Sequence, residues 1–145
     1  MPATPSSVLA LDVGNKRVGI ALASLAARLP QPLTTLERGD NFLAKLSEII
    51  NHEDVSEIVV GWPRGLEGQS TSQTEATAAF VEELSRHFPA LPIHQQDEAL
   101  TSKMAEAELQ KRGKAYNRGD VDALAASYIL ADWLAEHSSL TGKAA

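Results

Sequence analysis

The sequence predicts one α/β domain in which helices cover both faces of a mixed five-stranded sheet. Three observations lead to this prediction. Short apolar segments joined by turn signals open the chain, the segment Ile58–Trp62 has the continuous apolar character of a buried parallel strand, and apolar residues at helical spacing separate the later strands. The length of 145 residues suits a single domain over 1–145, with flexible ends at 1–7 and 138–145.

An antiparallel meander is predicted at the start of the chain. Its first strand is the apolar segment Val8–Val13, and the following Gly14-Asn15 is a two-residue hairpin signal. The second strand spans Val18–Leu22. The third strand, Pro32–Leu36, begins with a proline, which has no amide hydrogen and therefore favours the start of an edge strand.

A strand–helix–strand unit follows the meander. Asp40 or Asn41 is available as the cap of an amphipathic helix, whose apolar residues recur at helical spacing. These residues are Phe42, Leu43, Leu46, Ile49 and Ile50. The strand Ile58–Trp62 comes next, and the pattern Ser72-x-x-Glu75 is a capping box that predicts the start of a second helix.

The last predicted strand, Pro92–Gln96, is followed directly by Asp97-Glu98. Thr101 is the predicted cap of a third helix, and Asp120 is the predicted cap of a fourth, Val121–Glu136. Because crossover connections between parallel strands are right-handed, the fourth and fifth strands should lie parallel to the first. Their carboxyl ends then share one side of the sheet, which is where open α/β sheets bind ligands.

Composition narrows the classes of protein that fit. The absence of cysteine excludes disulfides, thiolate zinc sites and cysteine nucleophiles, so a metal would need oxygen or histidine ligands. Neither a signal peptide nor a membrane span is predicted, and we expect a cytoplasmic protein. The formal net charge of −6 argues against a protein that coats nucleic acid without specificity, since such binding depends on lysine and arginine.

Asp12 is the most informative residue of the chain. The alternation of a strand places it on one face with Val8 and Ala10. An ionised carboxylate on a buried strand is costly unless it is compensated, so Asp12 requires a cation, a metal or a phosphate-bearing ligand nearby. An ion pair with Lys16 or Arg17 is the simpler alternative.

Two further carboxylates are predicted to meet Asp12. Glu98 follows the last strand, and Asp122 lies in the first turn of the last helix, so both would reach the same edge of the sheet. Three carboxylates could not all stay ionised in a dry site without a hard cation such as Mg²⁺ or Mn²⁺. Taken singly, Glu98 is explained as a solvated turn residue, and Asp122 is explained by the helix dipole, worth ~0.3–1 kcal/mol.

A basic segment precedes the last helix. Its positive side chains, with no acidic residue between them, are Lys111, Arg112, Lys114 and Arg118. Such a run is commonly a solvated loop, and beside Asp122 it is also a candidate arm for contacting phosphates. Tyr116 and Trp62 are candidates for stacking on unpaired bases, although core packing explains Trp62 equally well.

Four segments resemble, in order and spacing, the signature blocks of the YqgF family, also called RuvX. They are Leu11–Ala21, Val59–Gly68, Asp97–Ser102 and Val121–Ala126, and the resemblance spans nearly the whole chain. It implies a ribonuclease H-like fold and a hydrolase whose catalytic and metal-binding residues match Asp12, Glu98 and Asp122. The implied role is maturation of the 5′ end of 16S rRNA during ribosome biogenesis, with Holliday junction resolution as the alternative.

The resemblance also implies a mechanism, phosphodiester hydrolysis with two Mg²⁺ ions ~3.5–4 Å apart. Lys16 and Arg17 would contact the scissile or the adjacent phosphate. The family usually has an arginine where this chain has Ala99, so Lys103 or Arg64 would have to supply that phosphate contact.

Other interpretations compete with this one. Asp12-x-Gly14 before a hairpin also resembles the first phosphate loop of actin-like and sugar-kinase ATP-binding proteins, but those close two domains around the nucleotide. A non-catalytic nucleic-acid-binding protein on the same fold is the third interpretation.

The expected partner is pre-16S rRNA, in a single-stranded region, or branched DNA. The oligomeric state is open between a monomer and a weak homodimer, because a resolvase needs two sites related by a two-fold axis whereas trimming needs one. His94, inside a predicted strand, is expected to pack in the core.

Overall fold

The computed structural model describes residues 6–62, 72–97, 101–113 and 115–137. The strands are β1 (Ser7–Val13), β2 (Arg17–Ser24), β3 (Gln31–Glu37), β4 (Val55–Trp62) and β5 (Ile93–Asp97). The helices are α1 (Phe42–His52), α2 (Ser72–His87), α3 (Thr101–Arg112) and α4 (Arg118–Glu136). Their order along the chain is the predicted one.

The five strands form one mixed sheet in the order β3-β2-β1-β4-β5. β1, β2 and β3 are antiparallel neighbours, while β4 pairs parallel to β1 and β5 parallel to β4. The predicted meander and the parallel arrangement of the later strands are therefore confirmed. Asp12 and Asp97 lie at the carboxyl ends of β1 and β5, on the same side of the sheet.

The two faces of β1 pack against different helices. Leu9, Leu11 and Val13 point into a core closed by α1 and α2. Val8 and Ala10 point to the opposite face and pack against α4. This division follows from the two-residue period of a strand, and it confirms the prediction of helices on both faces. The same period assigns the side chain of Asp12 to the α4 face.

Helix α4 lies across the sheet and contacts all five strands. Ten of its nineteen residues are buried, which explains its alanine-rich composition, because small side chains allow the helix to approach the sheet closely. α3 packs on α4 through the buried Ala105. No helix among the described residues has the length and apolar character that a membrane span requires.

Two local predictions need correction. Asn117, not Asp120, is the N-cap of α4, and Asp120 is the acidic member of a capping box at the N3 position. At the start of α1, Asn41 is the N-cap, as one of the two predicted candidates, although its side chain makes no cap hydrogen bond. α3 extends to Arg112, so Lys111 and Arg112 lie on a helix and the connection to α4 is only 113–117.

Candidate active site

Asp12 lies near the end of β1 and is half-buried. Its partner in the antiparallel ladder is Gly19 on β2. Residues directly opposite each other in such a ladder point to the same face, with Cβ positions ~5 Å apart. A side chain at residue 19 would therefore point to the α4 face, beside Asp12. Gly19 has no side chain and leaves that space open.

The backbone of Asp122 occupies the space next to Gly19. A Cβ atom on Gly19 would lie 2.0 Å from the carbonyl oxygen of Asp122, a distance that no real Cβ contact allows. Because Gly19 has no Cβ, the first turns of α4 can rest directly on β2. Gly19 thus connects two residues that are far apart in the sequence: it pairs with Asp12 on β1 and contacts the backbone of Asp122 on α4.

Arg17 provides the positive charge at this site. Its Nε donates a hydrogen bond to Oδ2 of Asp122 at 2.9 Å. The side chains of Arg17 and Asp122 are 35% and 21% exposed, so the ion pair is accessible to solvent. The prediction considered Arg17 as a partner of Asp12, and it did not anticipate this pair, which joins residues 105 positions apart in the sequence.

The donor set on this face fits a hard divalent cation, since both side chains offer carboxylate oxygens. Among the described residues, no group of three acidic, histidine or cysteine side chains is arranged to hold a metal ion. The third predicted ligand, Glu98, lies outside the described residues, as do Arg64 and Lys114. Glu98 directly follows Asp97, which ends β5 and pairs with Trp62 of β4 at the same side of the sheet.

A second acidic group lies where α4 reaches β5. Burial raises the pKa of the Asp132 carboxyl group, and the negative charges of Glu136 and Asp97 raise it further. Nε2 of Gln96 donates a hydrogen bond to Glu136 at 2.7 Å. No pattern in the sequence indicates this group, because it combines a strand end with the last turns of a distant helix.

The basic segment is partly neutralised by α3. Arg112 forms an ion pair with Glu108 one helical turn earlier, and Arg118 lies 3.5 Å from Glu106. Two of the four positive side chains therefore have acidic partners on α3, although no acidic residue lies between them in the sequence. Lys111 makes no ion pair with any described residue.

Other predicted phosphate contacts lie in two places. Lys16, in the turn between β1 and β2, is exposed beside Arg17. Lys103 is exposed on the first turn of α3.

A cavity of about 640 Å³ opens beside the start of α4. Its walls come from the edge strand β3, the end of α3 and residues 115–117, and Tyr116 lines it. Asp120 and Ala123, on either side of Asp122 in the sequence, also line the cavity. Outside this cavity, Tyr128 of α4 packs against α3. Burial and a hydrogen bond donated to Glu108 raise the pKa of Tyr128 to about 12, so its hydroxyl stays protonated and keeps that bond.

His94 and Trp62 are both half-buried. Nε2 of His94 lies 2.8 Å from a carboxylate oxygen of Glu57, and its ring centroid is 5.1 Å from that of the buried Trp133. His94 was expected to pack in the core; it packs against α4 and contacts Glu57, but its side chain stays partly exposed.

Two solved structures that are similar to the chain are bound to Holliday junctions. The chain is similar to RuvC of Thermus thermophilus in complex with its Holliday junction substrate, with a TM-score of 0.53, 16% identity and coverage of 90% of this chain and 95% of that one. The resolvase of fowlpox virus in complex with Holliday junction DNA gives a TM-score of 0.51 and 10% identity, covering 92% and 98%. The sheet order and these neighbours define an α/β protein of the ribonuclease H-like class.

Sequence relatives give the family. A protein of Gloeothece citriformis is 38% identical over 139 residues, covering 92% of this chain and 91% of its own. A protein of Maridesulfovibrio salexigens is 39% identical over 132 residues, covering 88% and 97%. Both carry the name "Putative pre-16S rRNA nuclease". The family model described as "RuvX: Holliday junction resolvase" matches residues 6–136, and the chain belongs to this family.

Proposed function

We propose that this protein is a metal-dependent nuclease that hydrolyses phosphodiester bonds of pre-16S rRNA during ribosome biogenesis. The observation that carries the proposal is the contact at Gly19, which pairs with Asp12 near the end of β1 and touches the backbone of Asp122 at the start of α4. The names of the sequence relatives supply the substrate. The proposed role implies a cytoplasmic location, because ribosomal RNA precursors are processed there.

Asp12, Glu98 and Asp122 would hold the metal, and Mg²⁺ or Mn²⁺ suits their oxygen ligands. A divalent cation bound there supplies an activated water and stabilises charge on the phosphate during hydrolysis. The chain's own residues perform the binding. Lys16 and Arg17, at the turn beside the carboxylates, would hold the phosphate, and Arg64 and Lys103 are the further candidates for such contacts.

A single RNA strand is the substrate that the surface favours. The net charge of −6 leaves only a short basic segment for phosphates, whereas gripping four duplex arms would call for a broad basic surface. The cavity beside α4 has Tyr116 on its wall, and base stacking on an aromatic ring tolerates any sequence. In this proposal the side chains of Lys111, Arg112, Lys114 and Arg118 follow the backbone of that strand.

A side-by-side cleavage assay tests the proposal. The full chain is given a 16S precursor fragment, an unstructured single-stranded RNA and a four-way DNA junction, each in Mg²⁺ and in Mn²⁺. We expect cleavage of the precursor within its single-stranded flank, dependent on the metal and abolished by Asp12→Asn. Asp40→Asn is the matched control, because Asp40 is exposed in the turn before α1 and lines a cavity with Phe42 and Phe80, on the face of the sheet opposite α4.

The assay also separates the alternatives. Symmetric paired nicking of the junction at a lower protein concentration than any RNA cleavage would replace the proposal with a resolvase. Tight RNA binding without metal-dependent cleavage of any of the three substrates would instead identify a non-catalytic binding protein.

A further inference from the structure

The hydrogen bond between Arg17 and Asp122 uses only part of each side chain. Nε of Arg17 donates to Oδ2 of Asp122. Within the described part of the chain, the two terminal nitrogens of Arg17 and the Oδ1 atom of Asp122 make no hydrogen bond. With respect to the described residues, one carboxylate oxygen and four N–H groups of the pair can therefore accept other ligands.

Arg17 pairs with Asp122 although another acidic residue lies directly across from it in the sheet, so the Arg17–Asp122 pair is specific. Glu37 lies directly opposite Arg17 in the β2–β3 ladder, where an opposite-charge pair would be the usual arrangement. The Nε hydrogen bond goes to Asp122 on α4. Arg17 shares its strand face with Gly19, so its side chain leaves β2 on the side where α4 approaches.

Holding the fold together does not explain this pair. Ion pairs that are exposed to this extent contribute about 0–1 kcal/mol to stability. α4 is held in place by the burial of its apolar residues, each of which contributes about 1 kcal/mol or more. The pair is therefore better placed to orient side chains than to stabilise the fold.

We propose that Arg17 is a positioning residue that connects the metal ligand Asp122 to the bound phosphate. Nε fixes the plane of the Asp122 carboxylate, whose Oδ1 would hold the metal, while the terminal nitrogens would bind the phosphate. Only arginine can do both, because its donors form a rigid planar fork, whereas a lysine ammonium is a single point charge. This inference rests on the proposed nuclease function.

The affinity of the RNA-free protein for Mn²⁺, measured by calorimetry, tests the inference. Arg17→Lys keeps the positive charge and removes the fork, so it separates geometry from charge. Hydrogen-bonding partners of metal ligands typically contribute 10–100-fold to metal affinity, and we expect Arg17→Lys to weaken Mn²⁺ binding by about 10-fold. With single-stranded RNA as substrate, the same variant should raise KM and lower kcat together.

Arg38→Lys is the matched control. The side chain of Arg38 donates a hydrogen bond to the carbonyl of Gly14, in the turn between β1 and β2. Its backbone N–H donates to the carbonyl of Lys16 in that turn, and no described hydrogen bond joins Arg38 to Asp122. The Mn²⁺ affinity of the Arg38→Lys variant should equal that of the wild type.

Three outcomes would overturn the inference, and they are distinguishable. If the wild type binds Mn²⁺ and cleaves RNA but Arg17→Lys binds the metal equally well, Arg17 contributes charge alone. Tighter binding of Mn²⁺ by Arg17→Gln would lead to the same conclusion, since loss of a repelling charge would then outweigh loss of orientation. If the wild type neither binds Mn²⁺ nor cleaves RNA, the proposed function fails as well.

Discussion

The carbonyl group of Asp122 lies where a side chain on residue 19 would begin. Besides the oxygen at 2.0 Å, the carbonyl carbon would be 2.3 Å from a Cβ on Gly19. These neighbours are backbone atoms of a helix that is packed on the sheet, so they cannot move aside as a flexible side chain would. The fold therefore requires glycine at the position opposite Asp12.

The first prediction concerns this contact. Gly19→Ala must lift the start of α4 from β2, which separates Asp122 from Asp12 and also opens the packing under the helix. We expect a loss of about 1–3 kcal/mol in the free energy of unfolding, the usual cost of overpacking, measured by urea denaturation. We expect the losses in cleavage rate and in Mn²⁺ affinity, each expressed as a free energy, to exceed the loss in the free energy of unfolding.

Gly39→Ala is the control for this change. Gly39 follows β3, and nothing lies within 4 Å of a Cβ built there. The unfolded chain loses freedom when glycine becomes alanine, so this variant should be unchanged or more stable by up to ~1 kcal/mol. Equal stabilities of the two variants would show that the helix tolerates a side chain at residue 19.

The second prediction compares the caps of two helices. Oδ1 of Asn117 accepts the N–H of Asp120 at 2.9 Å, and Oδ2 of Asp120 accepts the N–H of Asn117 at 3.0 Å. Asn117→Ala should lower the free energy of unfolding by about 1 kcal/mol. Asn41→Ala should change it little, because the Asn41 side chain makes no cap hydrogen bond. Thermal and urea unfolding measure both, and equal losses would contradict the capping argument.

The third prediction is a pH dependence from the acidic group at β5. The folded-state pKa of Asp132 lies above its ordinary value of 3.8, so the folded protein binds more protons than the unfolded chain between the two values. Stability therefore falls as pH rises through that interval, and ionised Asp132 destabilises the fold at neutral pH. Asp132→Asn should raise Tm at pH 7, and the gain should shrink towards pH 4.

Asp40→Asn is the control for the pH series, since Asp40 is exposed and belongs to no such group. The change in Tm caused by Asp132→Asn could instead be more negative at pH 7 than at pH 4. That result would mean that the ionised carboxylate makes a net favourable interaction.

The fourth prediction concerns phosphate contacts. Lys111 makes no ion pair among the described residues, and the Arg118–Glu106 distance of 3.5 Å indicates a weak one. The double variant Lys111→Ala/Arg118→Ala should reduce the log–log salt slope of single-stranded RNA binding by roughly 0.7 for each lost contact. Fluorescence anisotropy across a salt series measures this slope.

Lys45→Ala/Arg86→Ala removes the same charge from exposed residues of α1 and α2, which cover the opposite face of the sheet. Its salt slope should match that of the wild type. Identical slopes for the two double variants would reduce the basic segment to a solvated surface.

The local patterns that succeeded in the sequence analysis are those that repeat at short range. Alternation along β1 placed Val8 and Ala10 on the face of Asp12, and both pack there against α4, whereas Leu9 and Leu11 lie in the opposite core. The basic segment shows the limit of this approach. Arg112 pairs with Glu108 across one turn of α3, and the pair was missed because the basic segment was treated as a loop, whereas α3 extends to Arg112.

The sequence by itself determined the order of the elements, the two faces of the sheet and the position of Asp12 at a strand end, because periodicity and turn chemistry act between residues close together in the chain. Only the tertiary structure decided that Arg17 pairs with Asp122, that Gly19 must lack a side chain and that Asp97, Asp132 and Glu136 share one region. These relationships arise from the angle and depth at which α4 packs on the sheet. Packing between distant elements sets that geometry, and no local pattern in the sequence records it.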